Sequence, residues 1–571
     1  MGRPLRVKPA STGTSRRGFF KRSGSAAVAL ASAPMLSLAG DHGDGSRSSL
    51  FQHGVASGDP LSDRVILWTR ITPRKPRSSM EVSYIVATDP RLRRVVVRGR
   101  ARADASRDYT VKVDPTGLRA GTTYYYRFAV EDDKSPIGRT KTLPVGPTSS
   151  LRMAVVSCSN HAYGYFNAYA RIAERADLDL VMHLGDYIYE YGAGQYGTVR
   201  PPEPSNEIVT LTDYRQRHAQ YKRDPDSQAM HRQHPLVAIW DDHETANNAW
   251  KNGAENHQPG TEGDWAARVS AALQAYFEWM PVRELDPTNP RKDNRAYAYG
   301  DLVDLIMLEE RLGARSEQLP MPITLPNGQQ AFTLNAAYLD PTRQLLGVDQ
   351  EAWLFDRLRT SKARWKMLGQ GVMFAQLKAV GAPNAFGGGV FLNSDQWDGY
   401  PPARDRIYAV LEGGNGLPPV NNVVVLTGDI HSSWAADLTP DPNNPNPAAG
   451  GYSPASGEGS RAVEFVGTSV SSPGIDSDTT GAIAESLKPA NPHFKYINLN
   501  RRGYMLLDVS PQRSLAEWWY VDTVDSRTHI ETFAAAFQTV FGSNRLQPAA
   551  QTTSRVNPPA LAPDRAGGDD D

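Results

Sequence analysis

The chain of 571 residues has a single cysteine, Cys158, no excess of charge of either sign, and no apolar run long enough to cross a bilayer. One cysteine excludes an intramolecular disulfide, so stability outside a cell would have to come from packing and bound metal. The 62 Lys and Arg residues equal the 62 Asp and Glu residues, which excludes a strong polyelectrolyte attraction to nucleic acid or to an anionic membrane. We expect a monomer with no stable nucleic-acid partner and no transmembrane anchor.

Residues 1–40 are predicted to be a targeting segment rather than part of the fold. The sequence Ser15-Arg16-Arg17-Gly18-Phe19-Phe20-Lys21 precedes a weakly apolar stretch rich in Ala and Ser, with cleavage candidates ending at Ala33 or Ala39. This arrangement resembles a twin-arginine signal, which passes folded proteins to the twin-arginine translocation machinery. We therefore expect a periplasmic or secreted protein that crosses the membrane already folded.

Three further segments differ in their residue patterns. From 48 to 147 the alternation has a period of two, which predicts an all-β sandwich, and Leu118–Tyr124 resembles the tyrosine corner of immunoglobulin and fibronectin type III domains. We interpret this domain as a structural cap.

From 150 to 535 apolar strands alternate with helical stretches, one of them predicted from Asp213 to His231. The predicted fold class is therefore a layered α/β domain. Residues 546–571 lack apolar periodicity, which predicts a disordered tail.

Metal-capable side chains follow four of the predicted apolar strands. In chain order they are Cys158, Asp186 with Tyr189, Asp242 with His243, and Asp429 with His431. A lone cysteine is usually a small buried hydrophobe. In open α/β sheets, however, ligand sites form beyond the carboxyl ends of the strands, and four such ends in series favour a metal site. Thiolate, carboxylate and phenolate donors suit a hard, highly charged ion such as ferric iron better than they suit zinc.

These motifs resemble the alkaline phosphatase D (PhoD-like) family of the calcineurin-like metallophosphoesterase superfamily. The resemblance spans about residues 50 to 535 and is carried, in the family's order, by Phe51–Pro60, Ser157–Asn160, Gly185–Tyr189, Trp240–Glu244, Asp395–Tyr400, Gly428–His431 and Val466–Pro473. It implies an α/β metallophosphoesterase sandwich with an N-terminal immunoglobulin- or fibronectin-III-like domain.

The resemblance also implies a ferric iron (Fe3+) site. Cys158, Asp186, Tyr189 and His431 match the iron-binding positions of PhoD-like enzymes or of related purple acid phosphatases. Asp186 would bridge to a second metal, which makes it a catalytic residue as well as a ligand.

A second metal site is implied beside the first. Asp242 and Asp429 match its ligand positions, and the PhoD-like group is associated with calcium there, so we expect one or two Ca2+ ions. Gln370 stands where many relatives have a ligand histidine, a departure that again favours oxygen ligands and calcium. His243 would contact the phosphoryl group or protonate the leaving oxygen. Arg311 is retained in a motif that otherwise departs from the family, and no role is assigned to it.

Four residues are candidate substrate contacts. Asn160 belongs to the Ser157–Asn160 motif, and Trp397, Tyr400 and Arg404 lie in or beside a Gly-containing loop. The loop residues suit either a substrate rim or a packed core, and both interpretations stay open.

The implied activity is that of a secreted alkaline phosphatase. Hydrolysis of phosphate esters would proceed by in-line attack of a metal-bound hydroxide without a covalent phosphoenzyme, because metals neutralise the charge that develops on oxygen. A first alternative is phosphodiesterase or phospholipase D-type activity on phospholipid, teichoic-acid-like polymer or nucleic acid. A second is a secreted binding protein whose metal site is structural, although a structural site should be closed and ligands on separate loops suggest an open one.

Overall fold

Two β-sheets packed face to face form the centre of the protein, and helices cover both outer faces. A computed structural model describes residues 49–564, so the predicted signal peptide lies outside the described residues. In chain order the strands are β1 (Val55–Gly58), β2 (Ile66–Arg70), β3 (Ser79–Ala87), β4 (Val95–Asp104), β5 (Thr110–Val113), β6 (Thr123–Val130), β7 (Asp133–Lys134), β8 (Gly138–Lys141), β9 (Leu151–Val156), β10 (Leu180–His183), β11 (Pro235–Ala238), β12 (Arg295–Tyr299), β13 (Val303–Met307), β14 (Ile323–Thr324), β15 (Gln330–Ala331), β16 (Trp365–Gln370), β17 (Lys378–Gly381), β18 (Gly389–Phe391), β19 (Val423–Thr427), β20 (Ser433–Leu438), β21 (Ala462–Val466), β22 (Phe494–Asn498), β23 (Gly503–Val509), β24 (Arg513–Val521), β25 (Glu531–Val540) and β26 (Leu546–Pro548). The α-helices are α1 (Asn167–Ala173), α2 (Leu211–Arg223), α3 (Pro225–Gln233), α4 (Pro259–Glu262), α5 (Trp265–Trp279), α6 (Val348–Thr360), α7 (Pro401–Glu412) and α8 (Ala482–Leu487).

The larger sheet has the strand order β26-β25-β24-β23-β9-β10-β11-β1-β2-β5, and the second has β12-β13-β16-β19-β21-β20-β22. Strands β9, β10, β11 and β1 are parallel neighbours, as are β13, β16, β19 and β21. Apolar side chains from the two inner faces, such as Met153 and Leu426, form one core. Helices α1, α2, α3 and α5 pack on the outer face of the larger sheet, and α6 and α7 on that of the second. This arrangement agrees with the predicted layered α/β class.

The predicted helix from Asp213 to His231 is two helices. Asp224 leaves the helical conformation, and its carboxylate accepts from the N–H groups of Asp226 and Ser227 at 2.9 and 3.1 Å, which caps α3. Pro225 has no N–H group to continue the hydrogen bonding of α2, but it fits the first position of a helix, so a new helix begins there. Among residues 49–564, no helix combines the length and the apolar character that a bilayer crossing needs.

The N-terminal region is all-β, but it is not an independent sandwich. Strands β1, β2 and β5 extend the larger sheet, and only β3, β4, β6, β7 and β8 form a separate sheet that packs against them. The Tyr124 hydroxyl accepts from the Arg119 N–H at 2.7 Å, the hydrogen bond expected of a tyrosine corner. Asp59, in the Phe51–Pro60 motif, is buried against Arg295 and Tyr297, so that motif joins the region to the rest of the fold.

The predicted disordered tail is wrong for residues 546–564. Leu546–Pro548 pairs with β25, and the Arg555 guanidinium then contacts both carboxylate oxygens of buried Asp179 at 2.9 and 2.7 Å. Ala562 packs against Tyr125 of the N-terminal sheet. The prediction relied on the absence of apolar periodicity. This segment is instead held by ion pairs and backbone hydrogen bonds, which apolar periodicity does not report.

Candidate metal centre

The carboxyl ends of four parallel strands deliver the predicted metal-binding residues to one place. Cys158 follows β9, Asp186 follows β10 and Asp242 follows β11, all in the larger sheet, whereas Asp429 follows β19 of the second sheet. Two sheets whose strand ends meet therefore share one site.

The backbone is left-handed at several of these positions. The φ angles are 61° at Cys158, 56° at Asp186, 58° at Asp429 and 58° at His431. Such conformations cost on the order of 1–3 kcal/mol per residue and persist only where the surrounding structure enforces them. These four residues follow three strand ends, those of β9, β10 and β19, and this concentration of strained backbone indicates a functional site.

The first candidate group joins Cys158, Asp186, Tyr189 and His431. The thiol sulfur, a carboxylate oxygen of Asp186 and a ring nitrogen of His431 lie within 4.8 Å of one another. The Tyr189 hydroxyl donates to Asp186 Oδ2 at 3.0 Å and lies 3.1 Å from His431 Nε2. The Pro473 carbonyl accepts from His431 Nδ1 at 2.8 Å, which leaves the Nε2 lone pair directed at the group.

Burial determines the protonation of this group in the absence of a cation. Burial, together with the nearby Asp186 carboxylate, raises the pKa of the Cys158 thiol and of the Tyr189 hydroxyl well above their ordinary values. Burial also raises the pKa of Asp186, although His243 opposes the change. These groups take the anionic forms that bind metal only when a cation neutralises them, so the donor set fits a multivalent cation.

The second candidate group consists of three carboxylates with an arginine among them. Asp241, Asp242 and Asp429 each offer an oxygen within 4.8 Å of the others. Arg311 Nη2 lies 3.2 Å from Asp241, 3.3 Å from Asp429 and 3.7 Å from Asp242, while Nη1 lies 3.0 Å from both oxygens of Asp395. A buried guanidinium thus provides one positive charge at the predicted calcium position.

Sequence reasoning did not identify Asp241 or Asp395 as part of this group. Asp241 precedes Asp242 directly, so the paired aspartates were a usable signal. The contact between Arg311 and Asp395 joins loops that are far apart in the chain, and no local pattern predicts it.

His243 lies between the two groups and is held by a carboxylate. Its Nδ1 is 2.7 Å from Glu190 Oε2, and its backbone N–H donates to Asp186 Oδ1 at 3.4 Å. Burial opposes the imidazolium charge, but the carboxylates of Asp242, Glu190 and Asp186 outweigh it and raise the pKa of His243 to about 10. The ring is therefore a proton donor in the cation-free protein. Glu190 was also missed from the sequence, although it directly follows Tyr189.

Glu244 holds the loops of the site together. Its carboxylate accepts from the backbone N–H groups of Asp186, Tyr187 and Asp241 at 3.1, 2.5 and 2.9 Å. Because these bonds join the loops after β10 and β11, Glu244 positions ligands rather than acting as one.

Aromatic side chains cover the first group. Tyr191 and Tyr196 pack with Cys158 and Tyr189, and the Tyr196 hydroxyl lies 3.4 Å from His431 Nδ1. His431 is only 4% exposed.

The four candidate substrate residues are buried and engaged with protein groups. Asn160 caps its own loop, accepting from the Ala162 N–H at 2.9 Å. The Trp397 indole donates to Gln370, the Tyr400 hydroxyl to the Ser316 carbonyl, and Arg404 pairs with Asp398 at 2.7 Å. The structure thus contradicts a substrate rim of Trp397, Tyr400 and Arg404, because all three side chains are buried and hydrogen-bonded to other protein groups.

Gln370 is not part of either candidate group. Its amide nitrogen donates to the Val372 carbonyl at 2.8 Å, and its oxygen accepts from Trp397 at 3.2 Å. The residue at the end of β16 thus supports the core.

Comparison with known proteins finds similar chains along most of the sequence. A family model described as PhoD-like phosphatase matches residues 153–518, and one described as PhoD-like phosphatase, N-terminal domain, matches residues 37–144. Alkaline phosphatase D of Bacillus subtilis (strain 168) is 38% identical over 482 residues, which cover 82% of this chain and 77% of the relative. A solved structure of PhoD superimposes with a TM-score of 0.78 at 36% identity, covering 89% of this chain and 94% of that one.

The similarity to alkaline phosphatase D over most of the chain identifies a phosphoric ester hydrolase. More specifically, the chain belongs to the PhoD-like phosphatase family, which confirms the resemblance seen in the sequence.

Proposed function

We propose that the protein is a metal-dependent phosphatase of the metallophosphoesterase type, with iron held by Cys158, Asp186, Tyr189 and His431. The observation that carries the proposal is the convergence of a thiol, a carboxylate and an imidazole within 4.8 Å, on strand ends with left-handed backbone. Thiolate, phenolate and carboxylate donors together favour ferric iron.

Calcium is proposed at the second group. Asp242 and Asp429 supply hard oxygen ligands, and Asp186 is close enough to His243 and Asp242 to contribute its other oxygen. When bound, the ions lower the pKa of water and neutralise charge on the phosphoryl oxygens.

The chain's own residues supply the remaining steps. Burial of the site excludes bulk water, which strengthens each electrostatic contact with the phosphoryl group. His243, kept protonated by the surrounding carboxylates, is placed to donate to a phosphoryl oxygen or to the leaving oxygen. Glu190 fixes the orientation of the ring through Nδ1, so that Nε2 carries the transferable proton.

Metal analysis of the purified mature protein tests the proposal. Wild-type protein is expected to contain iron and calcium, and Cys158→Ala is expected to lose iron and the hydrolysis of both phosphomonoesters and phosphodiesters. Ser159→Ala is the matched control, because its buried hydroxyl hydrogen-bonds the Tyr187 carbonyl at 2.9 Å and is outside the donor set. Iron-free wild type together with full activity in Cys158→Ala would refute the assignment, and the ratio of the two substrate rates decides between monoester and diester activity.

Glu190→Gln is expected to lower kcat by roughly 10- to 100-fold without loss of iron, the usual effect of removing a partner that orients a site residue. It is also expected to shift the alkaline limb of the pH profile to lower pH, because one carboxylate that raises the His243 pKa is gone. Glu207→Gln, a carboxylate that pairs with Arg268 at 3.0 Å, is the control. An unchanged pH profile in Glu190→Gln would argue against His243 as the proton donor.

We also propose export by the twin-arginine pathway, supported by Arg16-Arg17 and the apolar stretch that follows. Replacement of both arginines by lysine is expected to retain the precursor inside the cell, as measured by fractionation. Export of that variant at the wild-type level would refute the proposal.

A further inference from the structure

One buried arginine holds the main chain beside the metal centre without belonging to either candidate group. Arg217, on α2, is buried and donates hydrogen bonds to four main-chain carbonyls. Nε bonds the Glu203 carbonyl at 2.9 Å, Nη1 bonds the Tyr189 carbonyl, and Nη2 bonds the Tyr191 and Pro204 carbonyls, each at 3.1 Å. One guanidinium therefore joins two stretches of chain, residues 189–191 and residues 203–204.

The positive charge of Arg217 has no acidic partner. Within the part of the chain that the structure describes, no carboxylate pairs with the guanidinium, and its hydrogen bonds go to main-chain carbonyls. Burial lowers the pKa of Arg217, the direction expected of a cation removed from water. A buried charge without a salt bridge is costly, so packing alone would favour an apolar side chain at this position.

Closure of the loop between the two stretches does not require this charge. The two sides of the loop, which spans residues 192–202, are already joined by main-chain hydrogen bonds. The Ile208 N–H donates to the Glu190 carbonyl at 2.9 Å. The Ala193 N–H donates to the Ser205 carbonyl at 2.8 Å. An arginine that only closed the loop would repeat what these two bonds do.

The guanidinium also fixes the orientation of successive peptide groups. It bonds the carbonyls of Tyr189 and Tyr191, and the Ile208 N–H bonds the carbonyl of Glu190 between them. Residues 189–191 belong to none of the helices and strands of residues 49–564, so regular hydrogen bonding does not set their direction. Arg217 therefore helps to set the direction of the backbone that carries these three side chains.

Each of the three side chains is part of the metal centre or touches it. The Tyr189 hydroxyl lies 3.0 Å from Asp186 Oδ2, and the Glu190 carboxylate lies 2.7 Å from His243 Nδ1. The Tyr191 ring packs against the His243 ring with their centroids 5.5 Å apart. A rotation of the peptide groups would move all three side chains together, because each is attached to the backbone that rotates.

We propose that Arg217 is a positioning residue, whose planar guanidinium holds the Tyr189 hydroxyl and the Glu190 carboxylate in place for the phosphatase reaction. Five N–H groups in one plane can bond several carbonyls at once, which the single ammonium of lysine does not match. This role rests on the proposed function, since it concerns the same site. It is indirect, because Arg217 acts through residues 189–191.

Arg217→Met and Arg217→Lys test this role in iron-loaded, full-length mature protein. Both variants are expected to retain iron, to lose most of the visible absorption band of the iron–phenolate pair, and to lower kcat for a small phosphomonoester roughly 10-fold at similar KM. Arg152→Met is the matched control. Arg152 is likewise 2% exposed, but it lies at the opposite end of β9 from Cys158 and donates to the Thr553 carbonyl at 2.7 Å. Arg152→Met is expected to lower the free energy of unfolding and to keep the wild-type band and kcat.

A wild-type band per iron and a wild-type kcat in both Arg217 variants would show an ordinary structural arginine and would overturn the proposal. Equal loss of the band in Arg152→Met would also overturn it, because lowered stability would then be the cause. Arg217→Lys keeps the charge, so it carries the test if Arg217→Met does not fold. Wild-type values in Arg217→Lys would show that charge suffices without the planar fork, which contradicts the proposal.

A readout without metal separates this role from the proposed function. In chelator, hydrogen exchange of residues 189–208 is expected to be faster in both Arg217 variants than in the wild type, and unchanged in Arg152→Met. A wild-type protein without iron would refute the proposed function, and the exchange comparison would still test Arg217. Equal exchange of this segment in the wild type and the Arg217 variants would rule out the positioning role.

Discussion

Asp186→Asn is expected to lower the turnover of phosphate esters about a thousandfold while leaving the fold intact. The carboxylate is part of the first candidate group and also offers an oxygen within 4.8 Å of Asp242 of the second, so the amide removes an anionic donor that lies beside both groups. Loss of about 4 kcal/mol of transition-state stabilisation, the scale of metal assistance, corresponds to three orders of magnitude in rate. Asparagine has nearly the same shape and tolerates the left-handed backbone at this position, where φ is 56°.

The stability of the cation-free protein separates this effect from misfolding. Because burial raises the pKa of Asp186, removing its charge is expected to leave the free energy of unfolding unchanged or higher. Asp476→Asn is the control, since Asp476 is half-exposed and hydrogen-bonds the Tyr163 hydroxyl at 2.6 Å. If Asp186→Asn retained wild-type metal content and activity, the first candidate group would not be the catalytic centre.

Arg311→Met is expected to destabilise the cation-free protein by about 3–5 kcal/mol, the usual result of breaking a buried ion pair from one side. The guanidinium is fully buried, and the Coulomb attraction of Asp241, Asp242 and Asp395 raises its pKa well above the ordinary value in spite of burial. Without it, several carboxylates would be left without a counter-charge. Urea unfolding in chelator measures the effect.

Added calcium is expected to recover more stability in Arg311→Met than in the wild type. A cation that binds only the folded state stabilises it in proportion to its affinity, and removing the guanidinium leaves more uncompensated negative charge for calcium to neutralise. Arg315→Met is the matched control, because Arg315 is also fully buried and pairs with Asp395 at 2.6 Å. Equal calcium responses in all three proteins would show that the second carboxylate group is not a cation site.

The strand ends were predictable because they depend on local pattern. A buried parallel strand is a short apolar run, and its end is marked by the first polar residues after it, such as Cys158, Asp186 and Asp429. Contacts between loops were not predictable in this way. The pairing of Arg311 with Asp395, and that of His243 with Glu190, depend on how the loops fold back over the strand ends.

Burial was the least predictable property. Trp397 and Tyr400 occur in a Gly-containing loop that resembles a substrate rim, yet their side chains are buried in the apolar cluster formed by α6, α7 and the second sheet. The sequence of a loop does not reveal which of its side chains face inwards, because that depends on the helices and strands packed against the loop.

Apolar periodicity and donor chemistry are local properties of the chain, so the α/β class and the candidate metal-binding residues could be predicted without coordinates, and the sequence motifs pointed to the family. Contacts in the tertiary structure were needed to show that Arg311 lies among the carboxylates and that residues 546–564 are held against Asp179 and the N-terminal sheet. These features arise from contacts between residues far apart in the chain. Their energies depend on distance and burial, which become defined only when the two sheets have packed.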